Sequence, residues 1–186
     1  AAGEQAIDTD VVAKAVAAAI DEIYDRTGKK SILVTHSMGG TIGWRTPFRT
    51  DKVKAIIAFE PGGSPFIFPE GEVPEPVPTL YDPVKAQAMG VPLESFLALT
   101  KLPMVLFYGD HISDGTTDEI GPDKWRSEFM MAKEFVSCVN RHGGMAEIVH
   151  LPDLGIKGNT HFLMADKNNE VIAGLMADWL SAKGLS

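Results

Sequence analysis

Hydrophobic positions along this chain alternate between two rhythms. After Asp8-Thr9-Asp10, which offer helix-capping side chains, Val12, Val16, Ala19, Ile20, Ile23 and Tyr24 recur at three- and four-residue spacing until Gly28, predicting an amphipathic helix. Ser31-Ile-Leu-Val-Thr-His36 is then a short, β-branched, apolar run of the kind that fills a buried strand, and a helix is predicted from about Met38. Val53 to Phe59, Leu102 to Tyr108 and Ala146 to Leu151 read as further strands. Between the last two, Trp125, Phe129, Ala132, Val136 and Val139 mark one face of a helix stopped by Gly143-Gly144. Val171, Ile172, Leu175, Met176, Trp179 and Leu180 mark a closing helix with Asn168 or Asn169 as its cap. Strands alternating with helices predict an α/β protein whose mostly parallel sheet is joined by right-handed crossovers and flanked by helices.

One stretch breaks the rhythm. From Glu60 to Thr100, proline recurs at 61, 65, 69, 74, 76, 78, 83 and 92, with Phe66 and Phe68 among them. This is too long for an ordinary connection, so a lid-like insertion at about 61–100 is expected within one domain covering 1–186, a mobile segment being the alternative. Composition narrows the function classes. A net charge of -8 with scattered Lys and Arg argues against a nucleic-acid surface. No run approaches the roughly 18 apolar residues of a membrane span. The single cysteine, Cys138, excludes an internal disulfide and any Cys-based metal cluster, and is expected as a buried thiol on a helix. No H-E-x-x-H or paired-His spacing is present, so neither a metal nor a cofactor is expected. The sequence opens at Ala1-Ala-Gly3 rather than at Met, and the compartment stays open between cytoplasm, periplasm and secretion.

The chemistry concentrates where strand meets helix. Thr35-His-Ser-Met-Gly-Gly40 places a serine between small residues on a strand-to-helix turn, which reads as a nucleophile elbow with Ser37 at its tip. The G-x-S-x-G pattern expects glycine where this chain has Thr35. A serine needs an adjacent base, and the base a third group to orient it. His111, His142 and His150 read as solvated or hydrogen-bonded structural side chains, while His36 points away from Ser37 and is expected beside the site or on the substrate. His161 differs, because it follows the last strand in the loop Leu154-Gly-Ile-Lys-Gly-Asn-Thr-His161 and precedes the final helix; it is the expected general base. For the acid, Glu60 ends one strand ahead of Pro61-Gly-Gly63, and Asp110 follows the next in Phe107-Tyr-Gly-Asp110. Spacing alone leaves these two nearly equal.

Taken together, Thr35-His-Ser-Met-Gly-Gly40, Phe59-Glu-Pro-Gly-Gly63, Tyr108-Gly-Asp110 and Gly155-Ile-Lys-Gly-Asn-Thr-His-Phe162 resemble the α/β-hydrolase superfamily. More narrowly, they resemble its bacterial and fungal esterases related to the enzyme that cleaves esters of halogenated cyclic compounds. The resemblance spans essentially the whole chain and implies the C-terminal part of an α/β-hydrolase fold. It implies a triad of Ser37, Glu60 and His161, with Asp110 as the alternative acid. The expected activity is a serine carboxylesterase working through an acyl-enzyme on a small-molecule ester, with Met38 N–H as one oxyanion donor. His36, Phe66, Phe68 and Phe162 are expected at the substrate pocket. Lactonase, thioesterase or amidase chemistry on the same residues, or a non-catalytic binding protein on the fold, are the alternatives. Because the nucleophile strand of such a sheet is normally central, an N-terminal chain or fragment is expected to cover its edge and supply the second oxyanion donor. A homo-oligomer stays open, and neither nucleic acid nor membrane is expected as a partner.

Overall fold

Asp8 accepts the backbone N–H groups of Asp10 and Val11 through its carboxylate, and Gly28, at φ 68°, closes the other end, so the first helix, α1, runs Thr9–Thr27. Its buried face is Ala13, Ala17 and Ile20, whereas Ile23 is half exposed, which turns the helix away from the face the larger apolar residues predict. The computed structural model describes residues 8–82 and 85–185. After α1 come β1 (Ser31–His36), α2 (Gly39–Arg45), β2 (Val53–Phe59), β3 (Phe66–Pro69), β4 (Ala88–Val91), α3 (Leu93–Phe96), β5 (Pro103–Tyr108), α4 (Ile120–Arg141), β6 (Met145–His150) and α5 (Asn169–Ala182).

The main sheet has the order β1-β2-β5-β6, and every pairing in it is parallel. Period-two alternation divides its side chains between two cores. Ile56, Ala58, Met104, Leu106 and Tyr108 pack with Ile20 of α1, Trp44 of α2 and Phe135 of α4. Ala55, Ile57, Phe59, Val105 and Phe107 pack with Ile172 and Trp179 of α5. The α/β architecture expected from the pattern is therefore present as helices on both faces of a parallel sheet.

The run Ser31–His36, one edge of which is expected to lie bare in this chain, is the edge strand of the described sheet, with Val34 52 % exposed, while Ala55–Ala58 of neighbouring β2 are completely buried. One expectation changes. Phe66 and Phe68 are only 1 % exposed and pack their rings against Phe135, with Phe66 also stacked on Trp44. They are core residues that fasten the Pro-rich insertion to α2 and α4, not walls of a pocket: two aromatic rings between prolines recover more free energy buried than solvated. The insertion has structure of its own. Strands β3 and β4 pair in parallel, and Asp123 with Arg126, a buried ion pair on α4, holds the Leu80 N–H and the Pro78 carbonyl. Most of residues 70–82 are exposed, and Pro83 lies outside the described residues.

Candidate active site

The strand β1 ends in a serine whose backbone is forced into the left-handed region, with Ser37 at φ 54°. For a residue with a Cβ this costs about 1–2 kcal/mol, so the surroundings must hold it there. They do: the Ser37 N–H donates to the Phe59 carbonyl at 3.0 Å, and the Ser37 carbonyl accepts the Gly40 N–H at 3.0 Å. Helix α2 starts immediately afterwards, with Met38 as its N-terminal flanking residue, 56 % exposed.

Thr35, the departure from the elbow pattern, has a steric explanation. A Cβ built on Gly43 would come within 3.0 Å of the Thr35 methyl, and one on Gly39 within 3.8 Å of Thr35 Cβ. Bulk that the elbow pattern forbids on the strand is accommodated by a missing side chain one helical turn along α2.

Glu60 repeats the device on the adjacent strand. It follows β2 directly, sits at φ 45°, and donates its N–H to the Phe107 carbonyl at 2.8 Å. Its carboxylate is 2 % exposed, with Oε1 accepting the Gly109 N–H and Oε2 lying 3.4 Å from His161 Nδ1. His161 Nε2 lies 3.0 Å from Ser37 Oγ. With Nδ1 protonated, the imidazole donates to Glu60 and accepts from the serine hydroxyl. Behind this line, the buried Tyr108 hydroxyl donates to the Pro61 carbonyl at 2.6 Å, and burial raises its pKa well above the ordinary tyrosine value. Glu128, also buried, accepts the Gly63 N–H at 3.0 Å; burial pushes its carboxyl up.

Asp110 is placed differently. Its oxygens accept the N–H groups of Gly158 and His111, each at 2.9 Å, and these bonds hold its carboxyl below the ordinary value. Its own N–H donates to the Asn159 carbonyl at 3.0 Å. It therefore grips the loop that carries His161. The loop is braced from the other side by Asp166, which accepts from the Thr160 N–H, the Thr160 hydroxyl and the Asn159 amide. Asn168, expected as a helix cap, makes no cap bond and instead exchanges amide bonds with the buried Asn159.

His36 reaches this loop as well. Its Nε2–H donates to the His161 carbonyl at 2.8 Å, and its ring lies 4.5 Å from the His161 ring. Phe162 is 56 % exposed, with its ring 5.2 Å from both imidazoles. Trp125, which periodicity assigns to a core face, stacks on His161 with ring centroids 4.2 Å apart. Phe66 and Phe68 are not brought to this place. His142 and His150 pair with Glu72 and Asp153 respectively, away from the serine. The residues missed from the sequence are Trp125, Asn159, Asp166 and Asn168. The available signal was the clustering of short polar side chains on both sides of His161, which in a loop are there to bond backbone.

No family model matches the chain. A probable secreted lipase, phiG, from Fungal sp. (strain ATCC 74256) is 27 % identical over 177 residues, covering 85 % of this chain and 47 % of that protein. A solved structure described as a novel bacterial esterase superposes with a TM-score of 0.67 at 22 % identity, covering 94 % of this chain and 43 % of the other. The chain thus spans less than half the length of each. It is similar to proteins described as a lipase and an esterase, and its mostly parallel sheet with flanking helices has the α/β-hydrolase fold.

Proposed function

We propose that this chain carries the nucleophile, base and acid of a carboxylic-ester hydrolase acting through an acyl-enzyme on a small-molecule ester. The observation that carries the reading is the hydrogen-bonded line from Ser37, held at positive φ, through His161 to the buried Glu60. The likeness to proteins described as a lipase and an esterase supports it. In this mechanism His161 Nε2 takes the Ser37 proton as Oγ bonds to the ester carbonyl carbon. The tetrahedral oxyanion accepts the Met38 N–H, which the start of α2 aims at it. His161 then returns the proton to the departing alkoxide, leaving the acyl group on Ser37. Water repeats the sequence and frees the acid. Glu60 stays ionised and stabilises the imidazolium. His36, bonded to the His161 carbonyl, fixes the loop backbone under the base, and Trp125 and Phe162 flank the imidazole where the alcohol or acyl group must lie.

The proposal includes a further polypeptide segment paired with the free edge of β1 that supplies the second oxyanion donor. Supporting this, Val34 of the edge strand is half exposed. A groove of about 510 Å³ beside it is lined by Val34, Phe59, Met164, Ile172 and Met176. Unpaired apolar strand edges are sites of strand addition.

Fluorophosphonate treatment of the assembled protein is expected to place one adduct on Ser37 and none in Ser37→Ala. An unmodified Ser37 in a folded assembly would mean a binding protein rather than a hydrolase. Native mass measurement tests the segment: a fully active monomer of this chain alone rules it out.

A further inference from the structure

Away from the serine, the C-terminal end of α4 and the turn after β3 bring together three side chains of different chemistry. Cys138 and His142 stand one helical turn apart on α4, joined by the His142 N–H to Cys138 carbonyl bond, so their side chains share a face. Facing them is Glu72, in the tight turn that Gly71 makes at φ 88° with the Glu72 N–H bonded to the Pro69 carbonyl. His142 Nε2 lies 2.8 Å from Glu72 Oε1, and Cys138 Sγ lies 3.8 Å from Glu72 Oε2. All three donor atoms fall within 4.8 Å of one another. A tetrahedral ion with bonds of about 2.3 Å to sulfur and 2.0 Å to nitrogen or oxygen separates its ligands by roughly 3.3–3.6 Å. The cluster is close to that size before any ion enters.

We propose that Glu72, Cys138 and His142 form a binding site for a transition-metal dication of the Zn²⁺ class. Thiolate with imidazole selects such ions, because Ca²⁺ and Mg²⁺ require shells of oxygen. The ion replaces the Cys138 proton, which is released to solvent, and bonds Sγ, Nε2 and one Glu72 oxygen. Three protein ligands leave a fourth position to water. Access is from the Glu72 side, since that carboxylate is 39 % exposed while Cys138 is wholly buried. Arg141 now holds Glu72 Oε2 at 3.4 Å and must be partly displaced by the ion; at 55 % exposed it can swing into water. The ring of Phe96 meets His142 edge-on, 5.6 Å between centroids, and limits the turn of the imidazole. Glu72 belongs to the Pro-rich insertion and the other two ligands to the helix carrying Trp125. The ion therefore staples the insertion to the frame of the proposed active site while taking no part in the ester chemistry.

Titration of the full chain with Co²⁺, followed by absorption, reads the site directly. One equivalent is expected to give a thiolate-to-cobalt charge-transfer band with the intense visible bands of tetrahedral cobalt, and equimolar Zn²⁺ should abolish both. Cys138→Ser should remove the charge-transfer band, and His142→Ala should weaken binding by on the order of 100-fold. Arg141→Ala, which only removes a competing cation, should bind as tightly as the parent or more tightly. Saturating Zn²⁺ should raise the melting temperature by roughly 5–10 °C. If the unmodified chain gives no charge-transfer band, or if cobalt binds with nitrogen and oxygen ligands only, the proposal fails, whatever the variants do.

Discussion

On one side of Ser37, hydrogen bonds and ring contacts converge on a single histidine and on the loop that carries it. Glu60 faces its Nδ1, His36 holds its carbonyl, Trp125 covers its ring, and Asp110, Asn159 and Asp166 fasten its loop. On the other side, β1 is the edge strand of the described sheet, paired with β2 alone among the described strands, and Val34 on it is half exposed. The two sides have the same kind of sequence, apolar and β-branched up to the strand end. What differs is that the described residues supply the neighbours on the first side, whereas on the second the segment proposed above would supply them.

The contrast can be broken in five ways, in descending size of effect. Glu60→Gln should lower kcat of the assembled protein by on the order of 10⁴-fold, because a neutral amide no longer stabilises imidazolium. Asp110→Asn should cost far less, and the reverse ranking in steady-state kinetics would transfer the acid to Asp110. His36→Phe keeps the ring but not the donor; a loss of roughly 10²-fold in kcat with KM little changed is expected if the carbonyl bond places the base. Gly43→Ala should lower stability by about 1–3 kcal/mol through its clash with the Thr35 methyl, and Thr35→Ala in the same chain should recover most of that in denaturant melts. Acid tests the loop. Asp110 and Asp166 both have pKa values lowered below the ordinary 3.8, so their contribution is complete above that value and is lost as pH falls through the lowered values. Protection of the Gly158 and Thr160 amides against hydrogen exchange, taken relative to their intrinsic rates, should therefore fall only below about pH 4. Smallest for the fold itself, Val34→Lys should change the stability of this chain by under about 0.5 kcal/mol yet block any strand added to β1.

The sequence reading was strongest where local chemistry determines structure. The span Ser31–His36 and the helix between Asp8 and Gly28 were legible because a β-branched run, a capping aspartate and an αL glycine each act within a few residues. The parallel sheet followed from alternation alone. Placement was legible only through the family resemblance, which left one edge of Ser31–His36 bare; nothing in the run itself says whether the strand is central or marginal, since that depends on what pairs with it. Phe66 and Phe68 misled for a related reason, because aromatic residues among prolines look the same whether they line a cavity or plug a core. For the candidate site, the family resemblance implied Ser37, His161 and Glu60, and their side chains meet at 3.0 Å and 3.4 Å. The bracing residues could not be read, because Asn159 and Asp166 act on backbone groups whose positions the sequence does not specify.

The placement of Glu60 has one more consequence. Ser37 and Glu60 follow two neighbouring strands, and their N–H groups bond to the Phe59 carbonyl that ends β2 and the Phe107 carbonyl one residue before the end of β5, so the proposed nucleophile and acid sit one rung apart. With Glu60 as the proposed acid, Asp110 beyond β5 is free to hold the histidine loop by its backbone. Charge and position are thereby assigned to different carboxylates. Substitutions that retune the basicity of the histidine need not move it, and substitutions that move it need not alter its charge partner, so the two properties can drift independently as such a chain diverges.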